Sequence, residues 1–355
     1  MAAPVVPALA VARSGLPTLA DLQDAAVVVR LPMRVRFRGL LEREVLLLRG
    51  PSGWGEFGSF TEYDDAESAR WLAAAVEGGW GQWPAAVRDQ VPVNATVPAV
   101  PAGQVAAVLA RFPGATTAKI KVAERGQTLA EDVERVAATV DALGGSVARI
   151  RVDANGGWSV AAALEALPRL ASAVGSATFE YAEQPCAGVE ELAQVRTGLA
   201  RAGVSVPVAA DESVRKAEDP LRVAVAGAAD VVVVKVAPLG GVGPALEVAR
   251  ALGSDHGLPV VVSSALDTSI GIGAGLALAA ALPELPYACG LATVGLFERD
   301  VTGDPLLPVG GAIGVRRGVP DAERLARLAA VPERERWWRE RLARCYAVLA
   351  ADAGD

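Results

Sequence analysis

Only four of the chain's 34 basic residues are lysines, Lys119, Lys121, Lys216 and Lys235; the rest are arginines. A surface charge tolerates that exchange. A group that must lose and regain a proton near neutral pH does not, because a guanidinium stays protonated whereas a buried ammonium can titrate. The surviving lysines therefore mark where proton transfer would be sited. Three of them fall in a series of motifs that also carries three carboxylates. Lys119 and Lys121 stand in TAKIKVA, Asp153 in RIRVDANGGW, Glu183 in FEYAEQPC, Asp211 in VAADES and Lys235 in VVVKVAPLGG. Three oxygen ligands without histidine or cysteine suit an octahedral Mg²⁺ that keeps positions open for water and substrate, with Mn²⁺ as a plausible substitute. Such an ion, facing lysine-bearing walls, could hold a small-molecule carboxylate substrate and stabilise the charge that develops as its α-proton leaves. Lys121 must be neutral to act as the base, and its reference pKa of about 10.4 is too high. Lys119, the metal and enclosure all push it down, toward roughly 7–8. Arg151 and Asn155 flank Asp153 at same-face spacing and could support it or touch substrate.

These residues need a frame that brings them together. From about residue 92 a unit repeats: a short β-branched run, a turn, then an Ala/Leu-rich helical stretch. The strand candidates are Pro92–Ala99, Thr116–Val122, Ala148–Asn155, Thr178–Gln184, Val206–Asp211, Asp230–Ala237, Pro259–Ala265 and Tyr287–Ala292. Their starts are roughly 23–32 residues apart, the length of one βα unit in an eight-stranded barrel. Ala130–Leu143, Val160–Val174 and Gly243–Leu252 carry helical apolar spacing. Near-continuous valine, as in Val231–Val234, suits a parallel strand buried on both faces. An open doubly wound sheet shows the same alternation, but eight units in series favour closure. All six motif residues then lie near the C-terminal ends of five successive strands, the active-site face of a parallel barrel. Because side chains alternate, Lys119 and Lys121 share one face. The first ninety residues read as an antiparallel meander (Met33–Phe37, Glu44–Arg49, Gly53–Phe57) followed by helical Asp65–Glu77, and the tail ends in a helix, Glu333–Ala350. The expected organisation is an α+β capping domain over 1–91, of which 1–17 is a loose extension, a barrel over 92–299, and a segment 300–355 that completes the cap.

Composition closes off other classes. The 355 residues are 52% hydrophobic and 21% charged, with a net charge of −7. A pI near 5.1 argues against nucleic acid or an anionic membrane as partner. No apolar run reaches the roughly 18–20 uncharged residues of a spanning helix, and the start lacks the basic region of a secretory signal. Cys186, Cys289 and Cys345 are odd in number and without metal-ligand spacing, which suits a reducing cytoplasm. A single histidine, His256, in the loop-like SDHGLP, excludes sites built on a His–Asp dyad or several histidines. Lys216 reads as a surface helix charge, and Trp337 and Trp338 as the apolar face of the last helix.

The series KIK, DANGGW, EQP, ADES and KVAPLGG, preceded by GWGEF, resembles the enolase superfamily in its muconate-lactonizing-enzyme subgroup, over nearly the whole chain from the cap onward. Members of that superfamily use a lysine or histidine base with Mg²⁺, a property of the family rather than a reading of this chain. The resemblance implies an α/β fold, a modified (β/α)7β TIM-type barrel with an α+β capping domain built from both chain ends. It implies metal binding by Asp153, Glu183 and Asp211, and acid–base roles for Lys121 and the opposing Lys235. SSALDTSIG after strand seven and CGLATVGLFERDV around strand eight carry a closer likeness to the subgroup's dehydratases of actinobacterial type. That likeness implies syn-dehydration of 2-succinyl-6-hydroxy-2,4-cyclohexadiene-1-carboxylate to o-succinylbenzoate, a step of menaquinone synthesis, with the succinyl tail against Ser263, Ser264 and the backbone near Gly290. The alternatives are racemisation of N-succinylamino acids by the same metal and lysines and, from another class, a catalytically silent barrel acting as a binding protein. The branch with a catalytic histidine on the later strands is not matched, nor is the Asp-x-Asp of dipeptide epimerases, where Leu291, Ala292 and Thr293 stand. One departure from the family is the short first cap loop, RFRGLLERE, between Val35 and Val45.

Overall fold

The computed structural model describes residues 16–215 and 220–352. Lys216 and most of the expected 1–17 extension lie outside them. The chain enters through a short helix, α1 (Leu19–Ala25), whose Thr18 and Asp21 form a reciprocal capping box. Three antiparallel strands follow in the order β1 (Ala26–Phe37), β2 (Leu40–Gly50), β3 (Gly53–Phe57). The first two are longer than the runs expected from sequence, and the third matches its run. Arg38 and Gly39 alone join β1 to β2, with φ of 50° and 76°. Two left-handed residues give the turn whose twist matches that of the flanking strands, so the short first cap loop is a tight hairpin tip. Helix α2 (Asp65–Trp80) packs on this sheet through a buried face of Ala69, Leu72, Ala73 and Val76.

The repeat region forms a curled sheet of seven parallel strands, each bonded to the next in chain order. They are β5 (Ala95–Val97), β6 (Thr117–Lys121), β7 (Arg149–Asp153), β8 (Thr178–Glu183), β9 (Val208–Ala210), β10 (Val231–Lys235) and β11 (Val260–Ser263). Short α3 (Val105–Leu109), then α4 (Leu129–Ala142), α5 (Val160–Val174) and α6 (Val189–Arg201) alternate with them. Two single-turn helices, α7 (Glu212–Arg215) and α8 (Arg222–Val225), precede α9 (Val242–Arg250), and α10 (Ser269–Ala281) follows β11. The β10 run Val231–Val234 is buried throughout, and α10 is buried on nearly all sides, as its unbroken apolar composition requires. His256 ends a π-helical turn after α9 and is exposed.

The eighth expected strand, Tyr287–Ala292, does not form as an extended strand. Its residues close the sheet by single bridges instead, Cys289 with Val93 on one side and Gly290 with Ser263 on the other. Gly290 fits closely at this bridge, where a Cβ would lie 2.4 Å from the Ser263 side-chain Oγ. Past the barrel, β12 (Ala312–Gly314) pairs with β4 (Gln90–Pro92), just ahead of the first barrel strand. After α11 (Ala322–Arg327), the final helix α12 (Pro332–Asp352) packs against α2 and β1. Trp338 is fully buried there, edge-on to Phe57, with Trp337 beside it.

Candidate active site

Strand register assembles the site. Lys121, Asp153 and Glu183 are direct neighbours across β6, β7 and β8, and Glu183 pairs with Ala209, two residues before Asp211. Lys235 ends β10 opposite Ser263, which in turn bridges to Gly290. Parallel pairing without slippage at this level turns the six charged side chains into one buried ring.

Within the ring each carboxylate meets an ammonium. Lys119 Nζ lies 2.7 Å from Glu183 Oε1 and 3.2 Å from Asp153 Oδ2. Lys121 Nζ donates to Asp153 Oδ2 at 2.6 Å and to Asn155 Oδ1 at 2.5 Å. On the far side Lys235 Nζ lies 2.5 Å from Asp211 Oδ2, and Arg215 Nε stands 3.2 Å from Asp211 Oδ1. Burial lowers the pKa of Lys121, and the Lys119 charge beside it acts in the same direction, outweighing Asp153. Burial works downward on Lys119 too, but Glu183 and Asp153 overcome it and hold this lysine charged. The two lysines are thus driven apart, Lys121 toward its neutral form and Lys119 away from it. Among the carboxylates, burial opposes ionisation of Asp153 and Asp211, yet their lysine partners prevail; Asp211 falls to about 2. Glu183 goes the other way, raised to about 7 by burial and by the neighbouring Asp153 and Asp211.

The cap closes over this ring. Phe37, Arg38 and Phe60 join Thr96, Lys119, Lys121, Asp153, Asn155, Lys235, Ser263, Ser264, Gly290 and Thr293 around one small cavity. Lys121 Nζ is 5.3 Å from the Phe37 ring centroid, and Arg38 lies 4.1 Å over the ring of Phe60. Asn155, at φ 46°, links the base to its surroundings: its backbone N–H donates to Asp153 Oδ1 and its side chain to Glu212 Oε1. Ser264 Oγ donates to the Gly290 carbonyl at 2.7 Å and stands 3.0 Å from Thr293 Oγ1.

Arg151 is the exception among the expected supporting residues. It is fully buried beneath the ring and does not line the cavity. It bonds Glu180 Oε2 at 2.6 Å, Asn94 Oδ1 at 3.0 Å and the Ala288 carbonyl at 2.7 Å. Two residues back along a strand is about 6.6 Å lower in the barrel. Lys119 stands at the same register level on β6 and does line the cavity, so what keeps Arg151 out of it is its bonds to Glu180, Asn94 and the Ala288 carbonyl, which hold the guanidinium below the ring. A register shift in the β7–β8 ladder at this level leaves Glu180 without an opposite residue and lets it meet the guanidinium. Neither Glu212 nor Arg215 carries a role expected from the sequence motifs; they lie one and four residues after Asp211. Arg215 ties Glu212 (2.7 Å) to the cap hydroxyl of Tyr63 (2.8 Å).

Among the described residues, no three acidic, cysteine or histidine side chains stand close enough to form a ready-made metal cage, and lysines lie between the carboxylates. The donor set nevertheless fits a hard divalent cation. Glu183 Oε2 is a buried oxygen without a hydrogen-bond partner, a situation that a cation relieves, and Asp211 Oδ1 beside it has only the 3.2 Å ion pair to Arg215.

A curled parallel barrel, a three-stranded cap and lysines facing carboxylates at the strand ends define the class, and comparison with known proteins agrees. Residues 103–320 match the enolase C-terminal domain-like family and residues 28–79 the enolase N-terminal domain-like family; the chain belongs to the enolase superfamily. Its relatives include the o-succinylbenzoate synthases of Mycobacterium marinum, 55% identical over 96% of this chain and 99% of that protein, and of Mycolicibacterium smegmatis, 56% identical over 95% and 99%. The fold is shared with the muconate lactonizing enzyme of Pseudomonas fluorescens, at a TM-score of 0.70, 20% identity and coverage of 86% of this chain and 98% of that one.

Proposed function

We propose that the protein is an o-succinylbenzoate synthase, a hydro-lyase that removes water from 2-succinyl-6-hydroxy-2,4-cyclohexadiene-1-carboxylate in the cytoplasmic synthesis of menaquinone. The observation that carries this reading is the placement of Lys121 and Lys235 around one cap-covered cavity, in a chain 55% identical to such synthases. Asp153, Glu183 and Asp211 would hold Mg²⁺, or Mn²⁺ in its place, which when bound would supply positive charge to the substrate carboxylate. Lys121, its pKa lowered by burial and by Lys119, takes the proton from the carbon next to that carboxylate. Lys235, ion-paired with Asp211, faces the cavity opposite Lys121 and stabilises the negative charge that develops. The Lys121 ammonium then returns its proton to the departing hydroxyl on the same face: the C–H and C–O bonds break, the ring gains its third double bond, and water leaves. Asn155 and Asp153 hold the Lys121 amine in place for both transfers. Ser263, Ser264 and the Gly290 backbone border the space left for the succinyl tail. An absorbance assay tests the reading: turnover with Mg²⁺, loss in EDTA and recovery on adding Mg²⁺ back are expected. No turnover at saturating Mg²⁺ refutes it.

A further inference from the structure

Two carboxylates of the cap are buried against the barrel. Glu56, on β3, sits on the N-terminus of α10, where its Oε2 accepts from Thr268 Oγ1 (2.5 Å), Thr268 N (3.1 Å) and Gly271 N (3.0 Å). Glu77, on α2, accepts from Val242 N (2.5 Å) and Gly243 N (2.9 Å) at the N-terminus of α9. Helix N-termini present N–H groups without intrahelical partners, which these carboxyl oxygens satisfy, while burial pushes both groups up, Glu56 to about 8 with Asp267 beside it. The Glu77 contact also explains the glycines that follow Lys235. Gly241 has φ 143°, and a Cβ there would lie 2.7 Å from Glu77 Oε2.

The Glu56 contact reaches further than docking. Beside it, buried Arg43 of β2 donates Nε–H to the Leu266 carbonyl at 3.2 Å and a second N–H to the Gly58 carbonyl. Leu266 holds φ 65°, a conformation that a bulky side chain adopts only when its surroundings impose it. Glu56 and Arg43 thus grip both ends of the turn from Leu266 to Thr268, and neither lines the catalytic cavity. Ser263, Ser264, Ala265 and Leu266, which lead into that turn, all do.

We propose that Glu56 and Arg43 are positioning residues for the substrate pocket, fixing from the cap the turn after β11 that receives the non-reacting end of the substrate. The pocket is then complete only when cap and barrel are docked in this register. The inference rests on the reading of the cavity as a dehydratase site, so its test carries one readout independent of turnover. Glu56→Ala and Arg43→Met should raise KM about tenfold while kcat stays within about threefold, the pattern of lost substrate binding rather than lost chemistry. By hydrogen exchange, amides of residues 264–272 should exchange at least about tenfold faster while α4 keeps its protection. Glu56→Gln keeps the reach and one acceptor oxygen and should restore most of the protection. If Glu56→Ala does not fold, Arg43→Lys, which keeps the charge but loses the two-carbonyl fork, carries the test. An unchanged KM, or faster exchange spread evenly over the barrel helices, overturns the proposal. A wild-type protein without dehydratase activity refutes the functional reading alone, and the exchange pattern still decides the positioning role.

Discussion

Glu183→Gln should make the metal-free protein more stable at alkaline pH. Burial, together with Asp153 and Asp211, raises this carboxyl from 4.5 to about 7. Below pH 4.5 it is protonated in folded and unfolded chains alike and has no effect. Between 4.5 and 7 the unfolded chain releases the proton first, so folded stability declines as pH rises. Above 7 the whole penalty is present. A shift of about 2.5 units at about 1.36 kcal/mol each amounts to about 3 kcal/mol, with the nearby Lys119 ammonium already counted in that net shift. Glutamine keeps an oxygen for Lys119 and has no proton to lose. In EDTA, urea unfolding at pH 8.5 should therefore show the variant more stable by about 2–3 kcal/mol, with the difference gone near pH 4.5. Mg²⁺ at a hundred times its Kd should stabilise the wild type by about 2.7 kcal/mol. The variant, short of one anionic ligand, should gain less. A variant less stable than wild type at pH 8.5 in EDTA would show that ionised Glu183 supports the fold through Lys119, and the charge argument for a metal would fail.

Lys121→Arg should lower dehydration by about 10²–10⁴-fold with the fold intact, because the guanidinium cannot deprotonate. Lys235→Arg keeps a cation and should retain a measurable rate; steady-state assays of both check the division of roles, and near-normal turnover by Lys121→Arg overturns it. With N-succinyl-phenylalanine in D2O, α-deuterium exchange followed by NMR should be much slower than dehydration of the cyclohexadiene substrate. Comparable rates would mean a dual activity. Arg151→Met should destabilise the protein by about 3 kcal/mol, the low end for a broken buried pair, because Glu180 keeps only the longer pair (3.4 Å) to exposed Arg149. The folded fraction should keep its KM; a raised KM would place Arg151 in the substrate pocket after all.

Much of this site is legible in the sequence because its information is local. A lysine or carboxylate at the C-terminal end of a β-branched run has its depth set by the strand end, and parallel register keeps those depths aligned, as the row Lys121, Asp153, Glu183 shows. Legibility fails where the determining contact is distant in sequence or perpendicular to the pattern. Arg151 shares the periodicity of Asp153, but nothing local announces Asn94, Glu180 and the Ala288 carbonyl, which hold its guanidinium below the ring. Tyr287–Ala292 has the composition of a strand, yet only Cys289 and Gly290 pair with their neighbours, each by a single bridge. The partners of Glu56 lie some 212 residues away, and no local spacing announces them.

The scarcity of lysine acquires a physical meaning once the arginines are placed. Arg43, Arg135, Arg151, Arg215 and Arg341 are all buried, and each has hydrogen-bond or ion-pair partners that need a fixed charge: Leu266 and Gly58 carbonyls, Asp132, Glu180, Glu212, or the carbonyls of Phe60 and Tyr63. A planar guanidinium that never deprotonates suits such brackets. The three described lysines occupy the ring instead, where Lys119 and Lys121 share one oxygen of Asp153 yet are driven in opposite directions, one held charged and the other toward neutrality. That divergence needs groups whose protonation can respond to their surroundings. Replacing Lys119 by arginine would keep the charge beside Lys121 but set a larger, forked head between Asp153 and Glu183. The ring therefore depends on the compactness of the ammonium at position 119 and on its ability to titrate at position 121, two separate reasons for a chain so rich in arginine to retain lysine at both.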